Sequence, residues 1–144
     1  MSGYKSNTLE NSLLLYIYNA VSINSSFNAL DTATQLYVSL HNADPTAGGN
    51  QSSNETAYTN YTRIAVARTS GGWTVSGGSV SNAAAITFPA CGVTGDTITH
   101  AAIGTASSGA GNLVYAGPLT GGSLIVLTDT VPQFSAAAMQ ISEQ

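Results

Sequence analysis

Apolar and polar positions alternate most cleanly in residues 35–41, QLYVSLH, where Leu36, Val38 and Leu40 face one way and Tyr37, Ser39 and His41 the other. That alternation predicts a half-buried strand. Further runs with strand character follow: YTRIAVART (61–69), WTVSGGSVSN with Trp73 and Val75, AAAITFP (83–89), DTITHAAIG (96–104), LVYAGPL (113–119) and SLIVLTD (123–129). The end, TVPQFSAAAMQIS, reads as one final strand. Gly71-Gly72, Gly77-Gly78 and Gly121-Gly122 punctuate these runs as turns, and SSGAGN (107–112) reads as a flexible hairpin loop. Short strands at regular spacing predict a mainly β chain, a sandwich or jelly roll.

A helical period occurs once, in residues 8–20. Leu9, Leu13, Tyr16, Ile17 and Ala20 share a face, Asn7 is placed to cap, and Glu10 completes a box-like start. A single apolar stripe must be covered, by a sheet or by a neighbouring subunit. Residues 21–35 and the long polar stretch 42–60, NADPTAGGNQSSNETAYTN, show no period. The second is expected to be a surface loop. The chain therefore reads as one domain over 1–144, with a helix and arm over 1–34 and a β-sandwich over 35–144.

Composition narrows what such a fold does. Charged residues make up 7% of the chain, against a typical ~25%. Such a surface suits a protein held in an assembly. Three basic residues, Lys5, Arg63 and Arg68, against seven acidic ones leave a formal charge of −4, too few cations for nucleic acid or an anionic membrane. Cys91 is alone, so it forms no intrachain disulfide, and it reads as a small buried apolar residue. No secretory leader or run long enough to span a membrane is evident. Four sequons, at Asn24, Asn50, Asn54 and Asn60, are what chance gives in so Ser/Thr/Asn-rich a chain.

Candidate chemistry is thin. His41 and Asp44 are the best acid/base pair, but Asn42, Asp44 and Pro45 before Gly48-Gly49 are turn formers, and His41, Asn42, Asp44 and Pro45 read as loop-shaping residues. His100 reads as a strand histidine bonded to a neighbour. No metal-ligand spacing, phosphate-binding loop or nucleotide fingerprint occurs, so no cofactor, metal or small-molecule substrate is expected. Trp73, Tyr58 and Tyr61 could form a sugar-binding shelf, although strand aromatics are more often core or interface.

Taken in order, LYVSLHNADPTAGG, YTRIAVA, WTVSGGSVSNAAAITFP, TITHAAIG and GNLVYAGPL, preceded by TLENSLLLYIYN, resemble a family of small tailed-bacteriophage structural proteins. The resemblance spans most of residues 8–127; a shorter C-terminal tail and the Ser/Asn-rich 50–60 loop depart from it. Members are labelled tail fibre or minor structural proteins, and similar proteins serve as trimeric capsid decoration, or cement, proteins. The resemblance brings no catalytic residues. It implies a virion protein, assembled in the host bacterial cytoplasm, whose expected place is the capsid surface. The expected partners are the major capsid protein and two further copies of the chain, with tail-associated glycan binding as the alternative. Leu9, Leu13, Tyr16, Ile17, Arg63, Arg68 and Trp73 are the candidate interface residues.

Overall fold

A computed structural model describes residues 3–9, 33–76 and 79–142 of the chain. The fold is mainly β, in several antiparallel sheets. Strands β1 (Tyr4–Lys5), β2 (Gln35–His41), β3 (Ile64–Ala67), β8 (His100–Gly104) and β9 (Leu113–Pro118) form a five-stranded sheet in the order β1-β9-β8-β2-β3. Strands β4 (Trp73–Ser76), β5 (Ser79–Asn82) and β12 (Gln140–Ser142) form a three-stranded sheet. Two ribbons complete it: β6 (Ile86–Thr87) with β11 (Gln133–Phe134), and β7 (Asp96–Ile98) with β10 (Leu124–Val126).

The alternation in β2 does what its pattern requires. Val38 and Leu40 are buried with Ile103 and Tyr115 of the same sheet against Trp73 and Ile141 of the three-stranded sheet, Ile86 and Phe88 near β6, and Ile98 and Val126 of β7–β10. One apolar cluster thus draws on all four sheets. Within it Tyr61 stacks on Phe88 at 6.2 Å, while Tyr58 and Phe134 meet those rings edge-on at 5.4 and 6.4 Å. Cys91 is buried in the same cluster.

Three local expectations change. The helical turn at residues 7–9 is capped by Ser6, whose Oγ accepts the Leu9 amide at 3.2 Å and donates to Leu113 O at 2.7 Å. Asn7 is instead exposed, and its amide bonds Ala47 O at 2.9 Å. Residues 96–104 do not stay in one sheet. β7 pairs β10, whereas β8 pairs β2 and β9, and the chain crosses at Thr99, whose amide donates to His41 O at 2.9 Å. The final segment is two strands, because buried Asn82 clasps the turn between them. Its Nδ2 donates to Ser135 O at 2.8 Å and its Oδ1 accepts the Met139 amide at 2.9 Å.

Candidate functional site

The second face of the five-stranded sheet carries Ser39, His41 and Ala102, and it too is closed to water. The 42–60 segment, expected at the surface, lies across it and buries Gln51 and Thr56. Gln51 is the plug. Its Nε2 donates to Tyr37 O at 3.2 Å, its Oε1 accepts the Ala106 amide at 2.9 Å, and its own amide donates to Gly111 O at 2.9 Å. The space it fills exists because Gly104 and Gly111 have no side chain: a Cβ at either would stand 2.1 or 2.2 Å from Gln51 side-chain atoms. The 107–112 hairpin, expected to be flexible, is therefore tied to the cover.

His41 belongs to this polar layer. One ring nitrogen, Nε2, lies 2.9 Å from Ser39 Oγ, and the other, Nδ1, lies 2.9 Å from Ser53 O. Ser53 O can only accept, so Nδ1 carries the proton and Nε2 is the acceptor. Burial pushes the imidazole pKa down and keeps it neutral, although the Ser53 bond and the Glu55 charge oppose the shift. Neither nitrogen is left to take a proton from a substrate.

Asp44, the proposed partner, looks elsewhere. Its Oδ1 accepts the Thr46 amide at 2.8 Å and the Tyr4 hydroxyl, and the second bond leads in holding the carboxyl below its ordinary range. Burial and the same contact push the Tyr4 phenol up. The turn is tight enough to place Thr46 at φ 63°, a left-handed conformation costly for a β-branched residue. Asn54 Nδ2 donates to Asp44 O at 2.7 Å. Asn42 Nδ2 reaches Asp96 Oδ2 at 3.4 Å, and Thr56 Oγ1 donates to the same oxygen at 2.6 Å. Burial pushes the Asp96 carboxyl up, but bonds from Thr56, Asn42 and backbone amides outweigh it and hold it low. Pro45 is buried within the turn.

A third cluster locks the cover to β3. Arg63 donates from Nε and Nη2 to the two oxygens of Glu55, both at 2.7 Å, and from Nη1 and Nη2 to Ala106 O and Gly109 O at 2.9 and 2.7 Å. Tyr61 donates to Glu55 Oε1 at 2.8 Å and accepts the Leu40 amide at 3.1 Å. The Arg63 side chain is 2% exposed, so the bonds it makes here are internal to the chain. Glu55 and Arg63 are two of the chain's ten charged residues. That scarcity was the one signal in the sequence for their pairing; nothing in it singled out Gln51, Asn82 or Ser6.

His100 faces His41 across β2 and β8, and its Nδ1 lies 2.8 Å from Thr99 Oγ1. Trp73 and Tyr58 are buried and Tyr61 is half-buried, so the three make no exposed sugar shelf. Arg68 is exposed, with Nη1 donating to Ala33 O at 2.9 Å. Leu9 is half-buried, and Leu13, Tyr16 and Ile17 lie outside the described residues. Among the described residues no three His, Cys, Asp or Glu side chains are grouped to hold a metal ion, and no helix is long and apolar enough to cross a membrane.

The outward surface differs in kind. Val93, Ile125, Leu127 and Val131 are each at least half exposed, Val93 at 88%. Ile125 and Leu127 lie at and just beyond β10, a strand with one hydrogen-bonded neighbour, β7, among the described residues. Edges of this kind are normally guarded by charge or covered.

No curated protein matches the chain. Residues 4–142 match the family model described as Podophage GP4 fiber I protein gp80, and the chain belongs to that family of tailed-phage structural proteins.

Proposed function

We propose that the chain is a non-enzymatic subunit of the virion exterior that works by contact, as a head decoration protein bridging major capsid subunits. One observation carries this reading: an internally saturated polar layer beside exposed Val93, Ile125, Leu127 and Val131. The polar groups that could do chemistry are occupied inside the chain, while the apolar side chains that could bind are left outside. Scarce charge suits a surface that is permanently covered.

The mechanism is mass action. A subunit that binds only the expanded shell lowers the free energy of that state and resists internal DNA pressure. Assembly as a trimer would multiply the contacts per decoration unit and so the avidity. The family description favours a second reading, in which the chain is a component of a tail fibre. Both place it in the virion; glycan recognition, as first drawn from Trp73, Tyr58 and Tyr61, loses its exposed platform.

The test is reconstitution. Heads from phage lacking the chain should bind the purified protein at many lattice sites and regain resistance to heat, and Leu127→Asp should weaken that binding. Absence of binding to expanded heads, with binding to tails instead, would replace the decoration role by the fibre role.

A further inference from the structure

Ribbons β6–β11 and β7–β10 continue one another. The Phe88 amide donates to Pro132 O, the Cys91 amide to Thr130 O and the Asp129 amide to Cys91 O, at 2.9, 2.9 and 2.8 Å. Residues 86–98 therefore run antiparallel to residues 124–134 along one bent ribbon. At its β10 end this ribbon is open along one edge. Thr97 stands opposite Ile125, yet its amide donates to Asp96 Oδ1 at 2.8 Å rather than across to β10. In an antiparallel ladder such an unbonded pair alternates with bonded ones, here Leu124–Ile98 and Val126–Asp96. The Ile125 N–H and C=O therefore point away from β7, and among the described residues nothing pairs with them. The opening is short, because the Leu127 amide already donates to Thr130 Oγ1 at 3.0 Å.

Residues 119–128, LTGGSLIVLT, contain no charged residue and no proline to guard this edge. Ile125 and Leu127 stand exposed on its outward face. Between the two halves of the ribbon lies a pocket of about 330 Å³, lined by Leu119, Leu124, Pro132, Phe134 and Met139 and, among the described residues, by no charged side chain. A helix laid on Ile125 and Leu127 would cover the apolar side chains but strip water from the Ile125 N–H and C=O without replacing it. An extended backbone satisfies both. We propose that the contact is strand addition: an extended segment of the virion protein on which this chain is mounted pairs with β10 through Ile125. Its uncharged side chains lie beside Ile125 and Leu127, and an apolar one on the opposite face enters the pocket. This mode of contact rests on the reading above, in which the exposed apolar residues bind within the virion.

The test is hydrogen exchange at single-amide resolution on the full chain, free and bound to heads that lack it. The Ile125 amide should exchange fast in the free chain and slow by about a hundredfold on binding. Ile125→Pro removes that N–H and keeps an apolar side chain, so it should weaken binding about tenfold at an unchanged melting temperature. If that variant fails to fold, exchange in the wild-type chain decides alone. Binding to heads with the Ile125 amide still fast would overturn strand addition and leave decoration standing. Binding to tails with the amide protected would support strand addition and remove decoration. Protection already present in the free chain, and lost on dilution, would assign the edge to a second copy and overturn the proposal. Binding to neither heads nor tails would overturn both readings.

Discussion

The two faces of the five-stranded sheet are both closed to water, by opposite means. One face is closed by Val38, Leu40 and Ile103 packing on apolar residues of three other sheets. The other is closed by a polar segment whose buried groups, Gln51, His41 and Arg63, are each satisfied by named partners. The first closure is non-directional and tolerates adjustment; the second works only if every bond is made. The second is therefore the more brittle, and it holds the loops that frame the outer surface.

The largest effect should come from the polar face. Arg63→Ala leaves Glu55 without its cation and two carbonyls without their Arg63 donor and should cost about 3–5 kcal/mol in urea unfolding. Arg63→Met with Glu55→Leu should recover much of that loss. A single-variant cost below about 1 kcal/mol, as surface pairs give, would break the comparison. On the apolar face, Leu40→Ala should cost about 2–5 kcal/mol by the cavity it opens, and loss of stability without loss of the cover is the expected pattern. Gln51→Ala is smaller, about 1–3 kcal/mol. It should also speed hydrogen exchange at the Ala106 amide, which Leu40→Ala should not do selectively.

The smallest effect is on pH. His41 has a folded pKa below its unfolded value, near 6.5 in model peptides. Its contribution is therefore complete above about pH 6.5 and is lost as pH falls from there toward the folded pKa. The loss approaches about 1.4 kcal/mol per pH unit while the unfolded chain holds one extra proton. Asp44 and Asp96, held low, contribute above the ordinary carboxylate range and lose that contribution at more acid pH. Denaturation of His41→Gln across pH 7 to 5 should flatten the slope in the histidine window and leave the carboxylate window intact. An unchanged slope would remove His41 from the account.

How legible each face was follows from the same difference. Strand β2 ends where its alternation ends, because apolar packing on one face imposes a local period that a single sequence displays, although both faces are buried. The cover has no period to display. Gln51 is buried by a bond to Ala106, far along the chain, and a Gln among Gly, Ser and Asn looks the same whether covered or wet. The break in the final segment was hidden for a similar reason, since the turn is held by Asn82 from β5. The loop-forming character of Asn42, Asp44 and Pro45 was visible, because turn chemistry is local. Arg63 was visible only as a rare cation, and its partner became clear once Glu55 was placed against it.

The most direct test of the functional account is the copy number of this chain per virion, by quantitative mass spectrometry against the major capsid protein. Decoration of the head predicts a count comparable to that of the capsid protein. A count of a few to a few tens would contradict it and move the chain to the tail, as a fibre component.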